Sequence, residues 1–452
     1  MKLTYQVTDK PGLWKTIVFA LQQMLAILAA TIAVPAIIGN GMSQSAALFG
    51  AGVGTIVYLL FTKFKSPVFL GSSFAFLGSM GAAFAGAAST AVGYVGLIIG
   101  AFLAGLVYVV IAIVVKYAGT KWIDKIMPAA VIGPTVAIIG LSLAGNAAGD
   151  LLKGSVGVYV ANVFVPNASP YVALICGLVT LFTTIVASVY GKKMLKMIPF
   201  IIGIVAGYIV ATIFTVIGNV ADIPSLQVVN FALFQNMEWI PKFTFIKAFE
   251  GLSAFTPAYF VTILVAYVPV AFVVFAEHLS DHKNISSIIE TDLTKDPGLH
   301  RTLLGDGIGS MAGAFFGGCP NTTYGESVGC VAISGNASVV TIVTTAIICM
   351  VASFVGPFVT FLATIPSCVM GGVCVALYGF IAVSGLKMIQ KVDLNDNRNL
   401  FTVSVILIAG VGGLKLTFGA VTITSIACAL ILGIITNIIV NIKCKKAEKV
   451  EE

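Results

Sequence analysis

The sequence predicts an all-α membrane protein of fourteen transmembrane segments, built as a 7+7 inverted repeat. Three observations lead to this fold class: an apolar composition, the distribution of basic residues between loops, and two pairs of matching motifs in the two halves of the chain. Glycine, proline and hydroxyl residues interrupt the third and tenth segments, so we expect these spans to be broken and to contain short extended segments.

The composition excludes a soluble globular domain. Of the 452 residues, 58% are hydrophobic and only 10% are charged, and the mean hydropathy is +1.05. A soluble protein carries roughly a quarter charged residues, whereas a membrane-spanning helix needs about 20 predominantly apolar residues. Such runs recur from Leu13 onwards, so the lipid bilayer is the predicted surrounding of this chain.

Apolar runs separated by short polar loops define the segments in chain order. The first run continues past Val34 without a small-residue cleavage site, so we expect it to be retained as a span. The predicted segments are residues 13–33, 45–62, 67–86, 93–116, 128–145, 170–190, 198–219, 256–280, 301–316, 320–334, 337–362, 366–386, 399–412 and 419–441.

The basic residues fall mainly in every second loop when the chain is divided into these fourteen segments. With the N-terminus inside, all but four of the 25 Lys and Arg residues fall on one side of the membrane. Cytoplasmic loops are enriched in Lys and Arg, so both termini are predicted to be cytoplasmic. The cations form no basic stripe, and the net charge of +7 therefore does not indicate nucleic-acid binding. The four exceptions are Lys153, Lys242, Lys247 and Lys415.

Two pairs of motifs relate the halves of the chain. Residues 71–75 (GSSFA) in the third segment match residues 321–325 (NTTYG) in the tenth, and residues 128–133 (PAAVIG) in the fifth match residues 366–371 (PSCVMG) in the twelfth. Because each repeat has an odd number of segments, the second copy enters the membrane in the opposite orientation. Inverted repeats with interrupted helices are typical of secondary transporters, which bind their substrate near the midplane of the bilayer.

Glu277 and Glu326 are the two carboxylates that the segment assignment places at membrane depth. Ionisable groups there are costly and usually functional, although each could instead partner a buried backbone donor. Glu326 begins the short helix of the tenth segment, where the helix dipole favours an anion. Asp281 follows Glu277 by one helical turn and shares its face. His278 points about 100° away, and we interpret it as a packing residue.

Other classes of function find little support in the sequence. No nucleophile–base arrangement, metal-ligand spacing or phosphate-binding loop is present, so we predict no enzyme activity, no metal and no cofactor. The eight cysteines include no CxxC pair, and we interpret them as apolar packing residues. An anion transporter or channel of the same architecture is a further alternative, but an acid at a half-helix N-terminus would repel an anionic substrate.

Several motifs occur together in an order that resembles the nucleobase-cation symporter-2 family, also called nucleobase-ascorbate transporters. The chain is most similar to the bacterial uracil permeases of that family. The resemblance covers nearly the whole chain. It rests on FLGSSFAF (69–76), DPGLHR (296–301), PNTTYGE (320–326) and PSCVMGGVCVALYG (366–379).

This resemblance implies a core domain (residues 1–125 and 255–362) and a gate domain (126–254 and 363–443), followed by a cytoplasmic tail at 444–452. It also implies import of a nucleobase, most directly uracil, by proton symport with alternating access. The expected location is the plasma membrane, the inner membrane of a bacterial cell, and the expected assembly is a homodimer formed through gate domains. Xanthine or another purine is the alternative substrate.

The resemblance further implies roles for individual residues. Glu277 and Glu326 would hydrogen-bond the nucleobase, helped by the backbone at Phe74 and Gly325. The walls of the pocket would be Ala30, Tyr324 and Tyr378.

Proton coupling is assigned by the same resemblance to Glu277, Asp281, Glu326 and Gln23. Two of these positions depart from the family pattern, because Gln23 and Asp281 stand where uracil permeases typically carry histidine. We hypothesise that Glu277 and Asp281 share a proton, since neighbouring carboxylates raise one another's affinity for it.

Overall fold

The structure, a computed structural model, describes residues 3–160, 163–192, 194–418 and 421–442. The predicted cytoplasmic tail at 444–452, with its basic residues and Cys444, lies outside these residues. The helices of the first half are α1 (Leu13–Ile38), α2 (Gln44–Phe61), α3 (Leu77–Ala85), α4 (Thr90–Ala118), α5 (Lys121–Ile126), α6 (Ala129–Ser142), α7 (Ala144–Asp150), α8 (Pro170–Tyr190), α9 (Met194–Met197) and α10 (Pro199–Val220).

The second half is likewise mostly helical, and the strands of both halves are short. Its helices are α11 (Thr244–Gly251), α12 (Pro257–Ile289), α13 (Leu299–Gly317), α14 (Gly325–Ser334), α15 (Val339–Ala352), α16 (Gly356–Thr364), α17 (Ser367–Ile389), α18 (Asn397–Val411) and α19 (Ser425–Ile442). The strands are β1 (Leu70–Ser72), β2 (Gly157–Val160), β3 (Val163–Pro166), β4 (Asn321–Thr323), β5 (Leu416–Phe418) and β6 (Val421–Ile423).

The helices confirm a multi-pass, all-α membrane fold. Within the described residues, nine helices or helix pairs are long and apolar enough to cross a membrane, and the α15–α16 pair is a tenth candidate. Each of the fourteen predicted segments contains at least one helix, but several of these helices are too short to span alone. The number of fourteen crossings therefore stays a prediction.

The eleventh segment, predicted as one run over 337–362, is bent in the structure. Helices α15 and α16 meet at 85° across a break of a few residues. Pro357 lies in the first turn of α16, where its missing N–H costs nothing and its fixed φ favours a helix start. Proline thus begins a new helix here rather than continuing the old one.

The two broken segments meet as the sequence motifs predict. Strand β1 pairs antiparallel with β4, with Gly71 opposite Thr322. Beyond the strands, Ser73 N donates to Pro320 O at 2.9 Å and Tyr324 N donates to Phe69 O at 3.2 Å. The chain then enters a 3-10 turn at 74–76 before α3, and α14 on the other side. Two half-helices therefore begin next to one small two-stranded sheet.

Close backbone contacts join helices that belong to different halves of the chain. A Cβ atom added at Gly140 in α6 would lie 2.1 Å from Tyr378 O in α17. A Cβ atom added at Gly50 in α2 would lie 2.4 Å from Gly313 O in α13. Small residues allow such approaches between membrane helices. The pairs α2–α13 and α6–α17 are accordingly among the most extensive helix contacts in the molecule.

The major helix contacts fall into two groups. One joins α2, α4, α11, α12, α13 and α15, and the other joins α6, α8, α10, α17, α18 and α19. The boundaries of the core and gate domains given above stay a prediction.

The N-terminal segment lies against the far end of α14. Thr4 N donates to Gly335 O at 2.7 Å, and Ala337 N donates to Tyr5 O at 2.9 Å. Ser338 Oγ donates to Asp9 O at 2.6 Å. We call residues 4–9 the N-terminal strap. It fixes the connection between α14 and α15, two helices of the second half of the chain.

Candidate functional site

A cavity of about 360 Å³ lies where the two broken segments face helices α1, α10, α12 and α17. Its wall combines three carboxylates, several hydroxyls, two aromatic rings close to the broken segments and the exposed start of α14. The lining residues nearest the broken segments are Ala26, Ser73, Phe74, Glu277, Ser280, Asp281, Thr322, Tyr324, Gly325, Glu326 and Gly329.

Glu326 reaches the cavity from the first turn of α14. Tyr324 caps this helix without a side-chain hydrogen bond. The first N–H groups of a helix have no partner within it, and Gly325 is exposed at this point. The start of α14 therefore presents a half-buried carboxylate and backbone donors to the same space.

Glu277 and Asp281 reach the cavity from α12 and lie one helical turn apart on one face. Asp281 is 7% exposed, while Glu277 is half-buried. Asp281 Oδ2 accepts a hydrogen bond of 2.9 Å from Thr323 Oγ1, which connects α12 to strand β4. The structure thus brings together the three carboxylates that the sequence singled out, and it ties one of them to the broken tenth segment.

Aromatic rings are fixed beside the carboxylates. Tyr324 donates from its hydroxyl to Ser72 O at 2.8 Å. Its ring lies 2.3 Å from where a Cβ atom of Gly71 would be, so only glycine fits there. The Phe74 ring lies in the cavity wall and meets the Tyr378 ring edge-on, with centroids 5.5 Å apart. Tyr378 is thus held behind Phe74 rather than in the wall itself.

The two α1 residues of the predicted site lie just outside the wall. Ala30 is buried, and Ala26, one turn earlier, lines the cavity in its place. Gln23 is also buried, and its Nε2 donates to Ser327 Oγ at 2.5 Å. That hydroxyl also accepts from Phe69 N at 3.0 Å. Gln23 therefore contacts the residue next to Glu326 and links α1 to both broken segments.

A different face of α12 carries two histidines in a buried polar network. His278 Nδ1 lies 2.7 Å from Asp306 Oδ2, and His278 Nε2 lies 3.0 Å from Thr302 Oγ1. His282 Nε2 lies 2.8 Å from the hydroxyl of Tyr58 in α2. The two imidazole rings stack with centroids 3.9 Å apart. These contacts hold α12 against α2 and α13, so that its acidic face points into the cavity.

The cavity has exposed lining residues at one end, which is the end that the sequence predicts to be cytoplasmic. Ser188, Lys196, Asn284 and Ser384 line it at that end, and Lys196 and Asn284 are exposed. The sequence reasoning did not select these residues. Asn284 continues the face that carries Glu277 and Asp281, so extending the helical period of α12 would have found it. The other three come from helices on the opposite wall, which the sequence pattern did not connect to the acids.

Two further hydroxyls of the matched motifs lie in the wall. Within the part of the chain that the structure describes, the side-chain oxygens of Ser73 and Thr322 are buried and have no hydrogen-bonding partner. Both hydroxyls therefore retain unused hydrogen-bonding capacity beside the cavity. The same described residues contain no group of three or more His, Cys, Asp or Glu side chains suited to a metal ion.

This arrangement suits a neutral, flat molecule with both donors and acceptors along its edge. Carboxylates accept hydrogen bonds, whereas helix-start N–H groups donate them. Aromatic rings cover the faces of a planar ligand. An anion would meet three acidic side chains in one partly dehydrated space, which disfavours its binding.

Comparisons with known proteins agree on one family. The sequence profile described as "Permease family" matches residues 14–419. The chain is 37% identical to a protein named uracil permease from Bacillus caldolyticus, over 100% of this chain and 98% of the relative. It is also 37% identical to the protein of the same name from Bacillus subtilis strain 168, over 97% and 95% of the two chains.

A solved structure shares the fold. The transmembrane domain of the cyanobacterial bicarbonate transporter BicA superposes with a TM-score of 0.64, covering 96% of this chain and all of that one. The sequence identity is 17%, so the likeness concerns the fold alone. It confirms the predicted fold class, an all-α membrane protein built as an inverted repeat.

Proposed function

The chain belongs to the nucleobase-cation symporter-2 family of permeases, and from this premise we propose that it imports uracil together with protons. Its homologues are permeases and not enzymes, so the chain is a membrane transporter and its substrate class is the nucleobases. The choice of uracil follows the names of the two uracil permease relatives and the chemistry of the cavity.

One observation carries the proposal: Glu277, Asp281 and Glu326 line a single cavity at the starts of two half-helices. Uracil is a neutral planar ring whose edge alternates N–H donors with carbonyl acceptors. We propose that Glu277 and Glu326 accept hydrogen bonds from the ring N–H groups. Backbone N–H groups at Phe74 and Gly325 donate to the carbonyls.

Three further residues belong to the proposed site: Tyr324 lies in the cavity wall, whereas Tyr378 and Ala30 lie outside it. Tyr324 covers one face of the uracil ring. Tyr378 supports the Phe74 ring through their edge-on contact. We assign Ala30, buried one turn after Ala26 on α1, a supporting role outside the wall. A site that pairs both donors and acceptors rejects molecules that leave its buried polar groups unpaired.

Proton coupling is proposed to involve the two carboxylates of α12. Glu277 and Asp281 lie one turn apart in the same wall, and two neighbouring carboxylates bind a shared proton more tightly than either would alone. Glu326 lies on the same cavity and completes the proposed acidic set. Gln23 has no titratable proton, and we assign it an indirect role through its hydrogen bond to Ser327.

The proposed cycle is alternating access. The cavity of this structure opens on the Lys196 side, which we assign to the cytoplasm on the basis of the basic residues. Movement of the core domain against the gate domain would close this side and open the other. We further propose that the protein lies in the plasma membrane with both termini cytoplasmic and forms a homodimer through its gate domains.

The experiment that tests the proposal is uptake of labelled uracil into proteoliposomes containing the full chain. We expect uracil to accumulate when the outside is acidic, and an uncoupler to abolish the accumulation. Xanthine, adenine and ascorbate, added in excess, should compete weakly. The Glu326→Gln variant should lose at least about 90% of uptake, because a charge-assisted acceptor contributes about 1.5–3 kcal/mol.

Two outcomes would overturn parts of the proposal. Uptake that ignores the uncoupler and every imposed pH gradient, or that follows a sodium gradient instead, would rule out proton symport. Strong competition by xanthine together with poor uracil uptake would identify a purine permease of the same family.

A further inference from the structure

A second, much smaller cavity lies behind the substrate-facing helix, between α4, α12 and α13. Its volume is about 10 Å³, and its wall includes Tyr108, Asp306 and Ser310. A volume of about 10–15 Å³ of this kind accommodates one water molecule. This cavity is separate from the substrate cavity, because none of these three residues is among the lining residues of the larger one.

Two residues of this wall each carry a polar atom with unused hydrogen-bonding capacity. Among the residues that the structure describes, the Asp306 Oδ1 oxygen and the Tyr108 hydroxyl are buried and have no hydrogen-bonding partner. Asp306 is 1% exposed and Tyr108 is 4% exposed. Burying a polar group without a partner costs about 1–3 kcal/mol, and a carboxylate oxygen is an especially strong acceptor. Both atoms therefore call for a ligand that can accept from one and donate to the other.

We propose that this cavity is a binding site for one structural water molecule. The Tyr108 hydroxyl donates to the water, and the water donates to Asp306 Oδ1. Ser310 and Asn321 are the further polar residues of the wall, and buried waters typically make about three hydrogen bonds. Asn321 already uses its Nδ2 to donate to Gly50 O at 3.2 Å.

Water fits this site better than a metal ion does. Hard cations such as Mg²⁺ and Ca²⁺ take six or more oxygen ligands, and much of the remaining wall is apolar or glycine. Asp306 also has a partner for its second oxygen, since Oδ2 lies 2.7 Å from His278 Nδ1. The carboxylate therefore needs one neutral donor at Oδ1.

The water has a defined structural consequence. It joins Tyr108 of α4 to Asp306 of α13, and Asp306 is in turn bonded to His278 of α12. His278 is the sequence neighbour of Glu277 and points about 100° away from it on the same helix. The bridge thus completes the set of contacts that fixes α12 from behind, and it does so without touching the substrate.

The test compares two tyrosine-to-phenylalanine variants of the full chain. Tyr108→Phe removes the hydroxyl that binds the water. Tyr267→Phe is a matched control, because Tyr267 is also fully buried, its hydroxyl likewise has no partner among the described residues, and it does not line this cavity. We expect Tyr108→Phe to melt about 2 °C below Tyr267→Phe. A high-resolution experimental structure should show one density peak within hydrogen-bonding distance of both Asp306 and Tyr108.

Three results would overturn the proposal. The first is a high-resolution map without a peak at this position. The second is equal melting temperatures for the two variants. The third is an anomalous signal at the peak after soaking with Tl⁺ or Rb⁺, which would identify a cation site instead. Uracil uptake is a separate measurement, so the water site and the proposed transport function succeed or fail independently.

Discussion

Replacing Asp281 by asparagine separates the charge of this residue from its hydrogen bond. Asparagine keeps a side-chain oxygen that can accept from Thr323 Oγ1, which lies 2.9 Å from Asp281 Oδ2. A hydrogen bond to a charged group contributes about 1.5–3 kcal/mol, and a neutral one about 0.5–1.5 kcal/mol. The contact should weaken by about 1 kcal/mol. Because the local structure is retained, the KM for uracil should rise by no more than roughly fivefold, the factor that equals this energy.

The pH dependence should change far more than the affinity. If Glu277 and Asp281 share the transported proton, Asp281→Asn leaves Glu277 without its partner. Initial rates of uracil uptake into proteoliposomes, measured over an external pH of about 5 to 8, should then lose most of their pH dependence. An Asp281→Asn protein with the pH profile of the native chain would refute the shared proton.

A matched variant controls for altered geometry. Thr323→Val removes the hydroxyl that Asp281 binds and leaves the carboxylate in place. We expect a similar change in KM with the native pH profile retained. If Thr323→Val flattens the profile as much as Asp281→Asn does, the pH dependence reports the position of strand β4 and not a proton on Asp281.

Three further predictions concern the cavity, the helix packing and the N-terminal strap. Gly329 lines the cavity, and a Cβ atom there would meet nothing within 4 Å, so Gly329→Val should raise the KM for uracil at least about tenfold with an unchanged melting temperature. Gly50→Ala should destabilise the protein by about 1–3 kcal/mol, because its Cβ would lie 2.4 Å from a backbone oxygen of α13. The measurement is a lower melting temperature. Gly81→Ala is the control and should melt like the native chain, because its Cβ would meet nothing within 4 Å. Ser338→Ala removes the 2.6 Å hydrogen bond to Asp9 O. Limited proteolysis should then cleave the N-terminal strap at least about threefold faster, with little change in the melting temperature of the whole protein. Equal cleavage rates would mean that backbone hydrogen bonds alone hold the strap.

Local sequence patterns predicted the features that depend on short chain distances. The spacing of Glu277 and Asp281 placed both carboxylates on one helical face, and the structure agrees. The matched motifs predicted two broken segments, and β1 and β4 pair in the structure. Hydropathy and the order of the segments were sufficient for the fold class, because both reflect the bilayer directly.

Contacts between distant parts of the chain were not predictable in this way. The hydrogen bond between Gln23 and Ser327 joins residues 304 positions apart, and no periodicity links them. The register of β1 on β4 also depends on tertiary packing. The same holds for the contact between Tyr58 and His282. The bend between α15 and α16 did have a local signal in Pro357, but the apolar run around it concealed the break.

The short stretch from Glu277 to His282 explains both the success and the limit of sequence reasoning at this site. Successive residues of a helix point about 100° apart, so this single stretch supplies two different faces. Glu277 and Asp281 face the cavity, whereas His278 and His282 face α13 and α2 and are fully buried there. An acid at membrane depth is recognisable once the segments have been assigned, because few charges occur there. A histidine acquires its role only from the partner that the fold brings to it. The placement of the acids therefore depends on the two histidines that anchor α12, although the sequence pattern identified only the acids as functional candidates.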